Sequence, residues 1–600
     1  MRFADYIVAY IASKGVDTAF IVTGGGSMHL NNAFAMSEDV TCYYFHHEQA
    51  AAMAAEGYAR VSGKPCALNV TSGPGGLNSI TGIFGAYTDS VPILVFSGQV
   101  KTDTLITRSP INGLRQLGDQ ETQVMDTIGK ITKWSGQPKK IEDCIPMLQT
   151  MYQKATVGRP GPTWLDIPID IQGQEVDGIT HESLEIISNS NDILINQKSD
   201  PRIPEILKKL QTARRPIILA GTGIRISNTI QELHRIAEVL QLPVCTAWTH
   251  DIFDNKHRLY AGRPGTIGTR AGNFVVQAAD LLLVLGSRLN VRQISYNFDS
   301  FASSAQKIWV DIDPAELAKP FPNVDMRIQA DLKKFMPELL ESANSDSRKI
   351  NRSRWIKWCR DINAKYTPKP DDYQKSKDRI NAYHFVSALF NRLRSDDIII
   401  CGNASATIIP YQIGKIKFGQ RLISNSGCAS MGYDLPAAIG AAIAAPEQRI
   451  ICIAGDGSIM MNIQDMITIK NYNLKILIFV LENDGYLSIK QTQNNFFGIE
   501  HGSTKSSGLM FPNFYYMSKA CDLEYRKLDN KSYHDQLENI LNLNAPAQVI
   551  EVPCDLQQEF EPRLKSRREG NQIVTPELDD MFPSLDRKEL DYIRTSRQSI

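Results

Sequence analysis

Short, unbroken apolar runs recur along this chain, and many are followed by stretches with apolar residues at every third or fourth position. The runs at 19–23, 42–45, 66–71 and 93–97 read as buried strands, with an alanine-rich helix over 50–61 between the second and third. A second group of strands is expected at 216–220, 281–285 and 307–313, and a third at 398–401, 450–454 and 475–481. Strands apolar on both faces and alternating with helices belong to parallel sheets covered on both sides. The fold class expected is α/β, with three doubly wound parallel-sheet domains. Their expected limits are 1–178, 179–343 and 379–555, with a charged helix and linker over 344–378 and a polar tail over 556–600. The polar, Asn- and Ser-rich stretch 177–192 reads as a linker, and the tail as a lid or a surface strap.

Composition narrows the function classes. A chain of 600 residues exceeds a single core. Its 65 basic and 65 acidic residues cancel, so no nucleic-acid partner is implied. The ten cysteines lack paired or metal-ligand spacing, as in a reducing cytoplasm, where the protein is expected. The first fifteen residues read as an amphipathic helix ending at Gly15, without the apolar core or cleavage site of a signal peptide. No apolar run approaches the ~18 residues that a membrane span needs.

The stretch 449–486 is the most informative: R-I-I-C-I-A-G-D-G-S, an amphipathic helix expected over 458–471, and a strand ending in E-N-D-G-Y. In a βαβ unit both strand ends reach one edge of the sheet, where ligands bind. Asp456 and Asn483 would meet there, with the Gly485 carbonyl close behind. Acid, amide and carbonyl oxygens suit a hard divalent ion that also takes phosphate oxygens, above all Mg²⁺. Gly455 and Gly457 would let the backbone approach a diphosphate, and the helix starting at Ser458 would point its N-terminus at that anion. A Gly-Asp-Gly tripeptide alone is equally an ordinary tight turn. The strand before it, the helix after it and the asparagine at the next strand end are what single it out.

That arrangement resembles the diphosphate–Mg²⁺ motif of thiamine-diphosphate enzymes. The runs H-H-E-Q-A-A-A-M-A-A-E-G-Y-A-R and V-T-S-G-P-G-G-L-N-S resemble, more narrowly, the pyrimidine-binding domain of acetolactate synthase, and the likeness extends over about residues 1–555. It implies that Glu48 hydrogen-bonds N1′ of the cofactor's pyrimidine and so promotes removal of the thiazolium C2 proton. It also implies site roles for Gln120 and His29, and approach of the loops at Gly25 and Gly75 to the active site. His29 alone is as well explained as a structural hydrogen-bonder.

In the third domain the resemblance puts Gly402, Asn403 and Ala404 beside the diphosphate, and Met431, in N-S-G-C-A-S-M-G-Y-D, beneath the bent cofactor. Gly455, Gly457, Ser458 and Tyr486 would contact the cofactor, with Asp456, Asn483 and Gly485 holding the metal. The central G-S-R-L-N-V-R and K-I-W-V-D-I-D-P runs are similar to the family's FAD region, implying Gly221, Gly223, Arg288, Arg292 and Asp311 as flavin contacts.

The chain departs from the family pattern at several places. Asn290 and Val291 replace two acids, Asn403 and Ala404 replace a Gln-His pair, Asp119 replaces the Phe before Gln120, and the Trp of the 2-oxo acid channel is missing after Gly485. The expected activity is decarboxylation of a 2-oxo acid, pyruvate first, with transfer of the two-carbon unit to a second carbonyl. A keto-sugar nucleotide as acceptor, simple decarboxylation and a non-catalytic homologue are the alternatives. The family builds its site between subunits, so a homodimer or homotetramer is implied.

Overall fold

The computed structural model describes residues 1–176, 200–247, 251–346, 348, 350–542 and 546–597. The stretch read as a linker at 177–192 lies outside them. Strands β1 (Thr18–Ile21), β2 (Thr41–Tyr44), β3 (Cys66–Val70), β4 (Ile93–Gln99), β5 (Trp134–Gly136) and β6 (Thr163–Pro168) form a parallel sheet in the order β2-β1-β3-β4-β6-β5. A second parallel sheet holds β7 (Pro216–Ala220), β8 (Val244–Thr246), β9 (Leu281–Leu285), β10 (Gln306–Asp311) and β11 (Met326–Gln329), ordered β11-β10-β9-β7-β8. The third holds β12 (Ile398–Cys401), β13 (Arg421–Ile423), β14 (Ile450–Gly455), β15 (Ile476–Glu482), β16 (Glu524–Lys527) and β17 (Gln548–Pro553), ordered β13-β12-β14-β15-β17-β16. The first and third sheets thus share one winding order. The expected α/β class with three parallel sheets is what the chain forms.

Equivalent helices of those two like-wound domains pack on each other. Helix Glu48–Ser62 follows β2, helix Asp434–Ala444 follows β13, and the facing sides are almost wholly Ala and Gly. Their backbones touch. A Cβ on Gly57 would lie 2.3 Å from the Ala437 carbonyl oxygen, and one on Gly440 1.9 Å from that of Ala54. One apolar core therefore runs from the first sheet through both helices into the third.

Residues 344–378, expected as helix and linker, carry helix Ser353–Tyr366, which is packed on the central sheet. The Trp355 indole donates to the Pro216 carbonyl at 3.0 Å, and the buried Arg352 guanidinium donates to the carbonyls of Leu240 and Leu210. The tail, expected as a lid or a surface strap, packs first on the third domain, where Phe560 is buried and Gln412 Nε2 donates to the Pro562 carbonyl at 2.7 Å, and then on the central one. Leu578, Met581, Leu590 and Ile593 are buried, and Asn273 Nδ2 donates to the Leu578 carbonyl at 2.8 Å. The helix expected over 458–471 is broken into Asp456–Ile459, a 3₁₀ stretch Met460–Asp465 and Met466–Asn471. Asn462 leaves helical geometry (φ −136°) and its amide donates to the Gly432 carbonyl at 2.8 Å, a tertiary bond that overrides the local period.

The helix crossing makes a signed prediction. Alanine is favoured over glycine inside a helix by ~1 kcal/mol, whereas a methyl forced against backbone costs ~1–3 kcal/mol. Gly440→Ala should therefore lower the melting temperature in a thermal unfolding experiment, and an increase would show that the helices are not in contact.

Candidate active site

Glu48 is the first residue of its helix, where a carboxylate is favoured by the unpaired N–H groups of the first turn. His47 caps that turn, its Nδ1 accepting from the Gln49 N–H at 3.1 Å. The Glu48 carboxylate is half-buried; Oε2 accepts from Asn78 Nδ2 at 3.0 Å, and Oε1 lies 3.4 Å from where a Gly75 side chain would begin. Asn78 sits one turn into helix Pro74–Thr88, a partner that sequence reading missed; it lies in the G-G-L-N run that was already quoted. Gly73, at φ +58°, opens that helix and leaves no room for a side chain, because a Cβ would be 2.0 Å from the Gln120 carbonyl oxygen. Gln120 (φ +59°) and Asp119 are exposed there. Gly25 is exposed, with open space around it. The His29 ring rests on Gly173 and makes no described hydrogen bond to Glu48, so the two are not brought together as a catalytic pair.

In the third domain β12, β14 and β15 lie side by side, and their ends assemble the other half. Asp456 is buried. Its Oδ1 accepts from the Gly457 N–H at 2.8 Å and its Oδ2 from the N–H groups of Asn483 and Gly485, each at 3.0 Å. Burial pushes the carboxyl up to about 7, against the pull of those three donors. Asn483 is also buried; its Nδ2 donates to Ser405 Oγ at 3.2 Å, and its Oδ1 has no hydrogen-bond partner. A buried acceptor without a donor, beside a buried carboxylate that favours the neutral form, is what a bound cation would satisfy. The all-oxygen donor set fits a hard divalent ion.

Gly485 holds φ +125°, strained for any other residue, and its carbonyl accepts from the Leu487 N–H at 3.1 Å. The Tyr486 ring lies flush on Gly457, where a Cβ would be 2.3 Å from Cε1. Gly455 has free space beside it. A cavity of about 500 Å³ opens beside Asp456, walled by Glu482, Asp484, Phe511, Tyr525 and Glu551.

Met431 is 37% exposed, so it is not core filler. It is presented on a tethered loop. Gly432 N–H donates to Ser458 Oγ at 3.0 Å, Ser458 Oγ donates to Asp434 Oδ2 at 2.5 Å, and Asn403 Nδ2 donates to the Ala429 carbonyl. Gly402 lies against Asp434, where a Cβ would be 2.3 Å from Oδ2. Ala404 and Ala429 sit at φ +46° and +54°, left-handed geometry held in place by the surrounding bonds. Asp434, pushed up to about 6 by burial, was not foreseen, although an acid opening an otherwise apolar helix is a visible signal.

The residues expected to bind FAD are brought together only in part. Gly221, Gly223 and Asp311 stand at the C-terminal ends of β7 and β10, the two strands that flank β9, around the Gly286 turn that follows β9. Asp311 is buried, and burial raises its pKa. Gln293 Nε2 nearby is buried without a partner. Arg288 turns away, its guanidinium 3.7 Å from Asp89 of the first domain, and Arg292 is solvent-exposed on the short helix Val291–Ile294. Arg288 therefore stands towards the half-buried Asp89, which also holds Arg60 at 2.6 Å, and apart from the turn that gathers Gly221, Gly223 and Asp311.

Comparison with known proteins agrees with this geometry. The chain matches the family models of the thiamine pyrophosphate enzymes: the N-terminal TPP binding domain over residues 1–122, the central domain over 203–339 and the C-terminal TPP binding domain over 402–551. It is 31% identical to the probable acetolactate synthase large subunit of Methanococcus aeolicus over 572 residues, 91% of each chain. It is 30% identical to the acetolactate synthase large subunit of Lactococcus lactis over 578 residues, covering 95% of this chain and 96% of that one. The acetolactate synthase isozyme 1 large subunit of Escherichia coli is 28% identical over 576 residues, 95% of this chain and 97% of its own. With Glu48 set beside Asn78 in the first domain, the Asp456–Asn483 pair at the sheet edge of the third, and matches to all three domain models, the chain belongs to the thiamine pyrophosphate enzyme family and is a thiamine-diphosphate-dependent enzyme.

Proposed function

We propose that the protein is a carboligase that decarboxylates a 2-oxo acid, pyruvate, and transfers the two-carbon unit to a second carbonyl compound. The observation that carries the reading is the partnerless, buried Asn483 Oδ1 beside the Asp456 carboxylate, a place for Mg²⁺ and a diphosphate in a chain similar to acetolactate synthases along more than nine-tenths of its length. When bound, thiamine diphosphate supplies the nucleophilic carbon and the electron sink that loss of carbon dioxide requires. This chain's residues do the rest. Glu48 holds and moves a proton at N1′ of the pyrimidine. Asp456, Asn483 and the Gly485 carbonyl would hold the cation, the turns at 402–404 and 455–458 would receive the diphosphate, and Met431 would support the cofactor between them.

Glu48 and the Asp456 edge share no described hydrogen bond within one chain. A homodimer or homotetramer, in which a second copy faces each half-site, is therefore part of the proposal. No helix among the described residues is long and apolar enough to cross a membrane. FAD is a further ligand for the β7–β10 edge, favoured by Gly221, Gly223 and Asp311; no chemical step needs it. Gently purified protein should be yellow if the edge holds FAD, and a colourless preparation that takes up no added flavin would remove it.

Two variants separate the half-sites. Asp456→Ala should abolish measurable thiamine-diphosphate binding with Mg²⁺ in calorimetry, and undiminished affinity would refute the cation site. Glu48→Gln should keep cofactor binding while turnover falls by ~10²- to 10⁴-fold, the worth of a positioned acid–base group. Exchange of the cofactor's C2 proton with deuterium, followed by NMR, should slow by a similar factor, and unchanged exchange would remove Glu48 from the mechanism. Product mass after incubation with pyruvate, alone or with a keto-sugar nucleotide, decides among acetolactate, a branched sugar and acetaldehyde. Absence of carbon dioxide release would leave a non-catalytic homologue.

A further inference from the structure

Three segments meet at the C-terminal edge of the first sheet, around the Glu48 half-site. Segment 24–27 follows β1, segment 71–75 follows β3, and the turn 119–122 belongs to the long excursion after β4. They touch one another directly. The Gly26 N–H donates to Thr71 Oγ1 at 3.1 Å, and a Cβ on Gly75 would lie 2.7 Å from Thr71 Cγ2. The Gln120 carbonyl rests on Gly73, at the start of the helix that presents Asn78 to Glu48.

Two of the three rest on the end of β4, and the third leans on both. Gly26 lies on Gly98, where a Cβ would be 2.1 Å from the Gly26 carbonyl oxygen; Gln172 Nε2 donates to the same carbonyl at 2.8 Å. Gln99 Nε2 donates to the Thr122 carbonyl at 3.1 Å. Beside it the buried Glu121 accepts from the N–H groups of Ile106, Leu117 and Gly118 at 2.5, 3.2 and 3.1 Å, which closes the excursion at its base.

A single carboxylate holds that strand end. In the parallel register of β4 and β6, Asp166 pairs with Ser97, and Gln99, two residues further on, shares the same face. Asp166 Oδ1 accepts from Ser97 Oγ at 2.5 Å, and its Oδ2 from Gln99 Nε2 at 3.0 Å and from Gln137 Nε2, just past β5, at 2.8 Å. Asp166, Ser97 and Gln99 are each 1% exposed, and Ser97 Oγ in turn accepts from Trp164 Nε1 at 2.8 Å. Burial pushes the Asp166 carboxyl up to about 6, against the pull of its three donors, with Glu121 adding to the rise. Burying such a group is unfavourable unless its hydrogen bonds are made. Here they join three strand ends.

We propose that Asp166 is the positioning residue of the Glu48 half-site: through Ser97 and Gln99 it fixes the end of β4, on which the segments around Glu48 rest. Asp166 itself touches neither the cofactor nor the substrate. The inference rests on the reading of Glu48 as the group that moves a proton at N1′.

Three variants of the full-length protein test it. Gln99→Met keeps the volume and loses the bonds to Asp166 and Thr122. Asp166→Ala leaves Ser97, Gln99 and Gln137 without their acceptor. Asp166→Asn is the conservative rescue, because its Oδ1 still accepts from both glutamines and its Nδ2 can donate to Ser97 Oγ. Hydrogen–deuterium exchange read by mass spectrometry, without cofactor, reports on the segments themselves. Peptides over 24–30, 71–78 and 117–123 should lose protection together in Gln99→Met and Asp166→Ala and keep it in Asp166→Asn, while peptides over 455–458 and 483–486 stay unchanged. With thiamine diphosphate and Mg²⁺ saturating, exchange of the cofactor's C2 proton should slow by ~10- to 100-fold in the first two variants, as expected for a group displaced by ~1 Å. Cofactor affinity in calorimetry should hold, since its anchor lies in the third domain, and Asp166→Asn should exchange at close to the unmodified rate. If Asp166→Ala does not fold, Gln99→Met decides. Protection retained in all three peptides overturns the proposal, and so does unaltered C2 exchange in a variant whose segments have loosened, provided that Glu48→Gln slows that exchange. If Glu48→Gln leaves it unaltered, the Glu48 reading fails, and the protection pattern alone decides whether Asp166 fixes these segments.

Discussion

Everything in this molecule hangs on one backbone-to-backbone contact, the crossing of helices Glu48–Ser62 and Asp434–Ala444. Gly57 meets the Ala437 carbonyl and Gly440 meets that of Ala54, so neither position tolerates even a methyl. Close packing of this kind gives way in discrete steps and does not deform smoothly. The two helices also begin at chemically important places. One starts on Glu48, and the other starts on Asp434, which receives Ser458 and so ties the Met431 loop to the Gly-Asp-Gly turn. The crossing therefore sets where the two half-sites of one chain stand relative to each other, before any ligand arrives.

Electrostatics complete what packing begins. The third-domain edge gathers Asp434 and Asp456, both buried, with Glu482 adding negative charge close by. Burial of a carboxylate without a counter-ion is unfavourable, and here it raises both groups towards neutrality. Backbone N–H groups compensate Asp456 only in part. The remainder is a standing preference for a cation, and the orphaned Asn483 oxygen shows where it would sit. Arg379, paired with Glu482, draws off some of the charge on the outer side of that edge.

Much of this was legible in the sequence because the signals are local. Strands at 216–220, 281–285 and 398–401 were placed to the residue, since each is an isolated apolar run bounded by polar or turn-forming positions. The Asp456–Asn483 pairing followed from strand-end geometry alone. What was missed depends on tertiary bonds. The break at Asn462 is made by a carbonyl from another segment, and Arg288 is turned by Asp89, nearly two hundred residues earlier in the chain. The tail reads as polar because its few apolar residues are widely spaced, yet Leu578, Met581, Leu590 and Ile593 each find a buried seat. The packing of the His29 ring against Gly173 is likewise tertiary and has no local signal.

The architecture also separates what must stay fixed from what is free to vary. Glu48 opens one of the crossing helices and Asp456 follows strand β14, and both elements belong to the apolar core that runs through the two domains. The loop closed by Glu121 is different. Glu121 ties its base through three backbone N–H groups, most of its length beyond Ile106 is exposed, and the Gln120 carbonyl beside the clamp lies against Gly73. Residues can change along that exposed length without cost to the core, since exposed substitutions away from such anchors alter stability by only ~0.5 kcal/mol. The groups read as cofactor contacts therefore lie on helices and strand ends, whereas the loop closed by Glu121 is peripheral to the core.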